Sequence, residues 1–478
     1  MILKELLIAI ESIGVFLSDG VIDSEIVDIV IDSRRVRKGS LFVAIKGDSF
    51  DGHDVAKAAL SKGAVAIVTE RKLNLPNEIL TLNTRKANAL LCSAFFSNPA
   101  RKLKLIGVTG TNGKSTVTNL VKQALVLMGY KAGLIGTINN EIGENTIPAK
   151  FTTPEPWDLY ALLNDMVNKS CEYAVIEASS QALAQNRLYG LDFTVSAFTN
   201  LSRDHIDYHK SMEDYFLAKR ILISNSENTV VNIDDEYGRR LYEEFSDKAV
   251  SFSTSSDMAD YTAKNIEYMV NSVRFAVSGY SFIGRIKFCI PGYYSVQNAL
   301  TAFAILVSLK IPGDKAAAAI SSVQMIKGRC ETLYQGIYTV ISDFAHTADG
   351  LYQLASGIKP YVDGKLIMLF GCAGDRDTGK REHMVETVSG MADVIVLTSD
   401  NPRTEDPNEI IDSLRYALDK GGKTYYTEPD REKAINLAMS QCEKGDVLLL
   451  CGKGHEEYQV MNGYTLYLNE REIVKAYV

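Results

Sequence analysis

The run Gly107-Val-Thr-Gly110-Thr111-Asn112-Gly113-Lys114-Ser115-Thr116 constrains this chain more than any other stretch. An apolar, strand-like segment, Leu103 to Val108, leads into it. A helical pattern, Ser115 to Met128, leads out, and Gly129 is placed to cap that helix. Strand, glycine-rich turn and Gly-Lys-Ser opening a helix form the layout of a phosphate-binding loop. Backbone N–H groups and the helix N-terminus face the anion, Lys114 adds a positive charge, and the Ser115 hydroxyl can hold Mg²⁺. The general pattern has glycine five residues before Gly113, where this chain has Val108. The loop is therefore a compact variant, and it points to a nucleoside triphosphate.

With 478 residues the chain exceeds one ordinary core, and two to four domains are expected. An apolar fraction of 46% and a charged fraction of 23% fit a soluble globular protein. No apolar run approaches a membrane span. The start, Met-Ile-Leu-Lys-Glu-Leu-Leu, lacks a basic leader and carries Glu5, so it does not resemble a signal peptide. A net charge of −8 argues against a general nucleic-acid binder. Seven cysteines without a Cys-x-x-Cys pair suggest free thiols in a reducing cytoplasm.

Three α/β blocks follow one another. The first, residues 1–99, has short strands at Leu41–Ile45 and Ala64–Val68, a helix near 54–62, and polar turns Asp32-Ser33-Arg34 and Gly47-Asp-Ser-Phe-Asp-Gly52-His53. The second, 100–327, begins with the phosphate loop. Its later strands, Tyr173–Glu177 and Thr194–Thr199, end in Glu177-Ala-Ser179-Ser180 and Asn200-Leu-Ser-Arg203-Asp204-His205. The third, 328–478, alternates strands at Tyr338–Ser342, Leu366–Phe370, Val394–Thr398 and Val447–Leu450 with helices at 347–358, 380–391, 408–419 and 431–440. Its strand ends carry Asp343-Phe-Ala-His346, Gly371 to Asp377, Ser399 to Arg403, and Cys451-Gly452-Lys453-Gly454-His455-Glu456. Open parallel sheets bind ligands at their carboxyl ends, so these clusters are the functional candidates.

Glu177 is the best carboxylate for Mg²⁺ beside a triphosphate; its other reading is helix capping. His205 suits a second metal or a phosphate, or a backbone hydrogen bond. Arg376, Asn401 and Arg403 on separate loops suit an amino-acid-like ligand, or surface ion pairs.

Together the clusters resemble the Mur ligase family, most closely the members that add the third peptide residue to the peptidoglycan precursor. The marks are Asp32-Ser33-Arg34, Gly110 to Ser115, Thr152-Thr-Pro154, Glu177 to Ser180, Thr199 to His209, Gly328-Arg329, Asp343 to Thr347, Gly374 to Arg381, Asp400-Asn-Pro-Arg403 and Gly452 to Glu456. The resemblance covers nearly the whole chain. It implies an α/β protein of three domains: a UDP-binding N-terminal domain, a central P-loop ATPase with a parallel-rich sheet, and a C-terminal Rossmann-like domain. It also implies a cytoplasmic, monomeric ligase with no membrane or nucleic-acid partner. ATP, with Mg²⁺, would phosphorylate the carboxylate of UDP-N-acetylmuramoyl-L-alanyl-D-glutamate, and the amine of meso-2,6-diaminopimelate would displace the phosphate.

By position, the resemblance assigns Gly110, Thr111, Asn112, Gly113, Lys114, Ser115, Thr116, Asn298, Arg329, Asp343 and His346 to ATP. It assigns Ser115, Glu177 and His205 to Mg²⁺, and Ser33, Thr152, Thr153, Ser179 and Arg187 to the UDP-sugar peptide. Arg376, Asn401, Arg403, Gly452 and Glu456 fall to the amino acid. Catalysis would rest on Lys114, Glu177, His205 and Lys219. From the residues alone Lys219 is a solvated helix lysine; the resemblance makes it the family's carbamylated lysine (N6-carboxylysine). Arg403 would pair with the distal carboxylate that diaminopimelate has and lysine lacks. Gln181, Ala348 and Cys330 depart from the family pattern and leave room for a paralogue using L-lysine or meso-lanthionine. A nucleotide-hydrolysing binding module is the rival of a different class.

Overall fold

Short aliphatic strands punctuated by glycine and aspartate alternate with amphipathic helices, and the central parallel strands, such as Tyr173–Glu177 and Leu366–Phe370, are buried along their whole length. The computed structural model describes residues 1–14, 16–17, 21–47, 50–280, 282–376, 378–419 and 423–478. Asp48, Ser49 and Asp377 of the motifs above lie outside the described residues. The chain forms two compact units. One comprises residues 1–118, 128–231 and 235–250; the other comprises 119–127, 232–234 and 251–478.

The first unit opens with a five-stranded sheet ordered Phe16–Leu17, Glu78–Leu80, Ala66–Thr69, Ser40–Val43, Asp28–Val30. All its pairings are parallel except that of Phe16–Leu17. The parallel strands that follow centre on Lys104–Thr109, with Tyr173–Glu177 on one side and Phe193–Phe198 on the other. Ala132–Ile135 extends the first side and Ser226–Asn232 the second. Connections therefore leave the phosphate-loop strand in opposite directions, which opens a crevice at its carboxyl end. One core runs through this unit, from Leu3, Leu6 and Leu41 to Leu163, Phe193 and Leu222. Trp157, the chain's single tryptophan, lies with its ring 5.0 Å from both Phe95 and Phe96 and locks the Pro156–Asn168 helix onto Thr84–Phe95.

The second unit contains an antiparallel meander, Tyr261–Met269, Ser272–Gly279 and Phe282–Phe288. The helices Tyr293–Ser308 and Gly313–Ser322 follow it. Its six-stranded sheet runs Glu331–Gln335, Thr339–Asp343, Val447–Cys451, Leu366–Phe370, Val394–Leu397, Thr424–Thr427. Only the first edge is antiparallel. The last strand of this sheet in the sequence, Val447–Cys451, lies between Thr339–Asp343 and Leu366–Phe370, so Asp343, Gly371 and Gly452 emerge together at one end. No helix among the described residues is long and apolar enough to cross a membrane.

Candidate active site

The phosphate loop leaves its strand at Gly110, whose φ is +146°. A side chain there would run into the Thr199 hydroxyl, so only glycine fits. Thr199 Oγ1 donates to the Asn112 carbonyl at 2.6 Å, and the Asn112 N–H donates to Asn200 Oδ1 at 3.0 Å. The loop is thereby stitched to the end of the neighbouring strand. Lys114 Nζ donates to the Gly110 and Thr111 carbonyls at 3.0 and 2.8 Å. Ser115 and Thr116 are buried in the first turn of the helix Lys114–Leu127.

Lys219, on the helix Met212–Ser224, reaches the same loop. It is 1% exposed, donates to the Gly110 carbonyl at 2.7 Å, and lies 4.5 Å from the Tyr215 ring centroid. Burial, reinforced by the nearby charge of Lys114, holds its ammonium well below the ordinary lysine range. The solvated helix lysine expected from the residues alone is corrected here: the apolar faces around this helix position bury it.

Glu177 ends its strand fully buried. Its Oε2 accepts from the Ser115 and Thr137 hydroxyls, each at 2.9 Å, and its Oε1 accepts from the Thr137 N–H at 3.0 Å. Capping falls to Ser179 instead, which accepts from the Ala182 N–H. Thr137 was missed by sequence reasoning. Its signal was its place two residues past the apolar strand Ala132–Ile135, the same strand-end position as the other clusters. A buried carboxylate beside a serine hydroxyl offers hard oxygen donors, which fit Mg²⁺ keeping phosphate and water as further ligands. Among the described residues no group of three or more His, Cys, Asp or Glu forms a cage for a metal ion. His205 is half-exposed in the left-handed conformation, φ +53°, with Nε2 3.5 Å from Asp204 and its ring 6.3 Å from that of Tyr215.

Thr152, Thr153, Ser179 and Arg187 gather beside Glu177. Thr152 Oγ1 is 3.0 Å from Thr137 Oγ1, and Thr153 Oγ1 donates to the Glu177 carbonyl at 2.5 Å. The Ser179 N–H donates to Thr153 Oγ1 at 3.1 Å, and Arg187 Nη1 donates to the Thr153 carbonyl at 2.8 Å. Arg187 also pairs with Glu155 at 2.8 Å. Ser33 stands in the exposed Asp32–Arg34 turn of the first sheet, its carbonyl accepting from Lys62 at 3.0 Å. Gln181 is exposed two residues beyond Ser179.

In the second unit, Asp343 accepts from the Cys330 and Ala345 N–H groups, each at 2.7 Å. Burial raises its carboxyl, against the opposing pull of Arg329. The Arg329 guanidinium lies 5.0 Å from the Phe344 ring centroid, and the same ring packs against His346 at 4.7 Å and His455 at 4.9 Å. Asn298 is half-buried on the helix Tyr293–Ser308. Cys330 takes a left-handed φ of +43° that aims its N–H at Asp343, and Ala348 opens the helix Ala348–Ile358.

The neighbouring loops bring Asn401, Arg403, Gly452 and Glu456 together. Asn401 Nδ2 donates to Glu456 Oε2 at 3.1 Å. The Arg403 backbone, at φ +55°, is pinned by its N–H to the Val460 carbonyl at 3.0 Å, and its guanidinium donates to the Gly374 carbonyl at 3.4 Å. A side chain at Gly452, φ +109°, would strike Asp400 Oδ2. Arg376 is exposed. Sequence reasoning overlooked the ion pair beneath these loops. Arg431 and Glu470 are both almost wholly buried, 2.7 Å apart, with Arg431 also donating to the carbonyls of Ser399 at 3.1 Å and Cys451 at 2.8 Å.

A strand-end phosphate loop with a buried lysine and carboxylate, in an α/β chain of this plan, defines a nucleotide-dependent enzyme. Family models match three stretches of it: "Mur ligase family, catalytic domain" over 25–96, "Mur ligase middle domain" over 108–306, and "Mur ligase, glutamate ligase domain" over 328–454. The chain belongs to the Mur ligase family, a family of ATP-dependent ligases, and has its three domains. It is 39% identical over 465 residues, 96% of each chain, to UDP-N-acetylmuramoyl-L-alanyl-D-glutamate–2,6-diaminopimelate ligase 1 of Clostridium acetobutylicum. It is 41% identical over 456 residues, 94% of each chain, to the correspondingly named ligase of Caldanaerobacter subterraneus. A solved structure of a ligase of that name superposes with a TM-score of 0.73 at 28% identity, covering 100% of this chain and 98% of that one. The MurF ligase of Thermotoga maritima in complex with ADP shares the fold, with a TM-score of 0.61 at 19% identity and coverage of 90% and 94%.

Proposed function

We propose that this ligase joins meso-2,6-diaminopimelate to UDP-N-acetylmuramoyl-L-alanyl-D-glutamate in cytoplasmic peptidoglycan precursor synthesis. Residues 1–99 would bind the UDP moiety, 100–327 ATP, and 328–478 the amino acid. The observation that carries the reading is the convergence of Asn401, Arg403 and Glu456 at one strand-end cluster, in a chain whose relatives bear that name over almost their full length. A guanidinium, an amide and a carboxylate suit the carboxylate and ammonium at the far end of a diamino diacid.

A carboxylate is a poor electrophile and a poor leaving group, and phosphorylation corrects both faults. The D-glutamate carboxylate oxygen attacks the γ-phosphorus of ATP and ADP departs. The diaminopimelate amine then adds to the acyl carbon, loses a proton, and expels inorganic phosphate as the amide forms. Lys114 turns from the loop carbonyls to the transferred phosphoryl group and offsets its charge. Ser115, Glu177 and His205 would hold Mg²⁺, which when bound neutralises phosphate charge. Burial favours the neutral amine of Lys219, the form that reacts with carbon dioxide, and the resulting carbamate would place an anion beside the loop. Thr153, Ser179 and Arg187 orient the peptide carboxylate. The protein needs no membrane or nucleic-acid partner for this chemistry, and we assign it as a monomer.

The test is isotopic. UDP-N-acetylmuramoyl-L-alanyl-D-glutamate labelled with ¹⁸O in the reacting carboxylate is incubated with ATP, Mg²⁺ and diaminopimelate. The reading expects tripeptide product and one ¹⁸O in the released phosphate. Unlabelled phosphate without product would identify a nucleotide-hydrolysing module instead.

A further inference from the structure

Lys453 lies two residues past the strand Val447–Cys451, among the groups assigned above to the amino acid, yet it has been given no role. Its side chain is wholly buried. Nζ donates to Asn401 Oδ1 at 2.7 Å and to Glu456 Oε2 at 3.0 Å, and lies 3.8 Å from Asp400 Oδ1. A buried ammonium needs such partners to offset its lost hydration.

The consequence for Asn401 is geometric. Its Oδ1 accepts from Lys453 and also from the Val460 N–H at 2.9 Å. Two donors on one atom settle which end of the amide is oxygen. Nδ2 is then directed to Glu456 Oε2, which leaves it one further N–H to donate. Glu456 Oε2 is occupied by Lys453 and Asn401, while among the described residues its Oε1 accepts from the Tyr458 hydroxyl alone, at 3.5 Å. Lys453 is one buried cation against two carboxylates, Asp400 and Glu456, and this trio suits an incoming ammonium while Arg403 on the same loops suits a carboxylate.

We propose that Lys453 is a positioning residue that sets Asn401 and Glu456 as a donor–acceptor pair, the spare Asn401 N–H for a ligand carboxylate and Glu456 Oε1 for a ligand ammonium. The assignment rests on the proposed function, since it concerns the zwitterionic far end of a diamino diacid. Without Lys453 the Asn401 oxygen keeps one of its two donors, the Val460 N–H, so the amide is aimed less firmly and the site loses part of the donor's grip on that carboxylate and of the discrimination it gives. L-Lysine, which has the distal ammonium but no distal carboxylate, loses less.

The experiment is steady-state kinetics on the full chain. Lys453→Met is expected to raise the KM for diaminopimelate at least about 30-fold and to lower the diaminopimelate-to-lysine ratio of kcat/KM about tenfold, with the KM values for ATP and the UDP-peptide unchanged within about twofold. Lys453→Arg keeps the charge but cannot seat a compact ammonium between the two oxygens, and should raise the diaminopimelate KM about fivefold. It decides the matter alone if Lys453→Met does not fold. A wild-type enzyme that ligates while the folded variants keep its KM and selectivity, losing only thermal stability, overturns this assignment by itself. A wild-type enzyme that ligates none of the amino acids removes the ligase reading, and this assignment with it.

Discussion

Arg403 and Glu177 are both charged groups at strand ends, but they are held differently. Glu177 already spends its two oxygens on Ser115 and Thr137, so it is fixed in place before any ligand arrives. Among the described residues the Arg403 guanidinium makes one long hydrogen bond, to the Gly374 carbonyl at 3.4 Å, and its backbone does the positioning. It can therefore take a carboxylate without first breaking strong bonds. Arg403→Ala is expected to lower kcat/KM for diaminopimelate about 10²- to 10³-fold while the KM for ATP stays within about twofold. Equal losses for both substrates would count against its role.

His455 makes a second prediction at this scale. Burial lowers its imidazole to about 3, with the charges of Arg329, Lys327 and Arg471 adding to the effect. The folded protein thus keeps His455 neutral where the unfolded chain, with an ordinary value of 6.5, takes up a proton. Below about 6.5 the unfolded state binds more protons, so stability falls as pH drops from about 6.5 toward about 3, by up to about 1.4 kcal/mol for each pH unit crossed. Urea unfolding at a series of pH values should show that slope in the wild type and a shallower one in His455→Gln. Identical slopes would contradict the assignment.

Among the elements, the parallel strands were legible because their apolar runs are unbroken and end in polar clusters. Tyr173–Glu177 and Leu366–Phe370 have the bounds expected from sequence, and others shift by a residue or two at their ends. The meander from Tyr261 to Phe288 was not assigned, since its faces mix exposed lysine, glutamate and arginine with tyrosine and give no clean alternation. Thr137 and the Arg431–Glu470 pair were illegible for another reason: their partners are distant in sequence, and only the sheet brings them together. That pair ties the carboxyl ends of separate strands through the Ser399 and Cys451 carbonyls and through Ser342, whose hydroxyl donates to Glu470 at 2.7 Å. Arg431→Met alone should cost about 3–5 kcal/mol, because it strands a buried carboxylate. Arg431→Met with Glu470→Leu should recover much of that loss. Denaturation midpoints of the two variants decide it, and a double variant less stable than the single one would contradict the account.

Across the whole molecule, the phosphate-loop cluster belongs to the first compact unit and the amino-acid cluster to the second. The family and its chemistry were legible because each cluster is short, local and set at a strand end. The burial of Lys219 and the coupling of Lys453 to Asn401 and Glu456 were not, because both depend on packing between segments far apart in the chain. The most direct measurement supplies purified protein with ATP, Mg²⁺ and UDP-N-acetylmuramoyl-L-alanyl-D-glutamate. Separate reactions contain meso-diaminopimelate, meso-lanthionine, L-lysine or L-ornithine, and products are identified by mass. The account predicts ligation fastest with diaminopimelate. L-Lysine as the best substrate, or no product with any of the four, would contradict it.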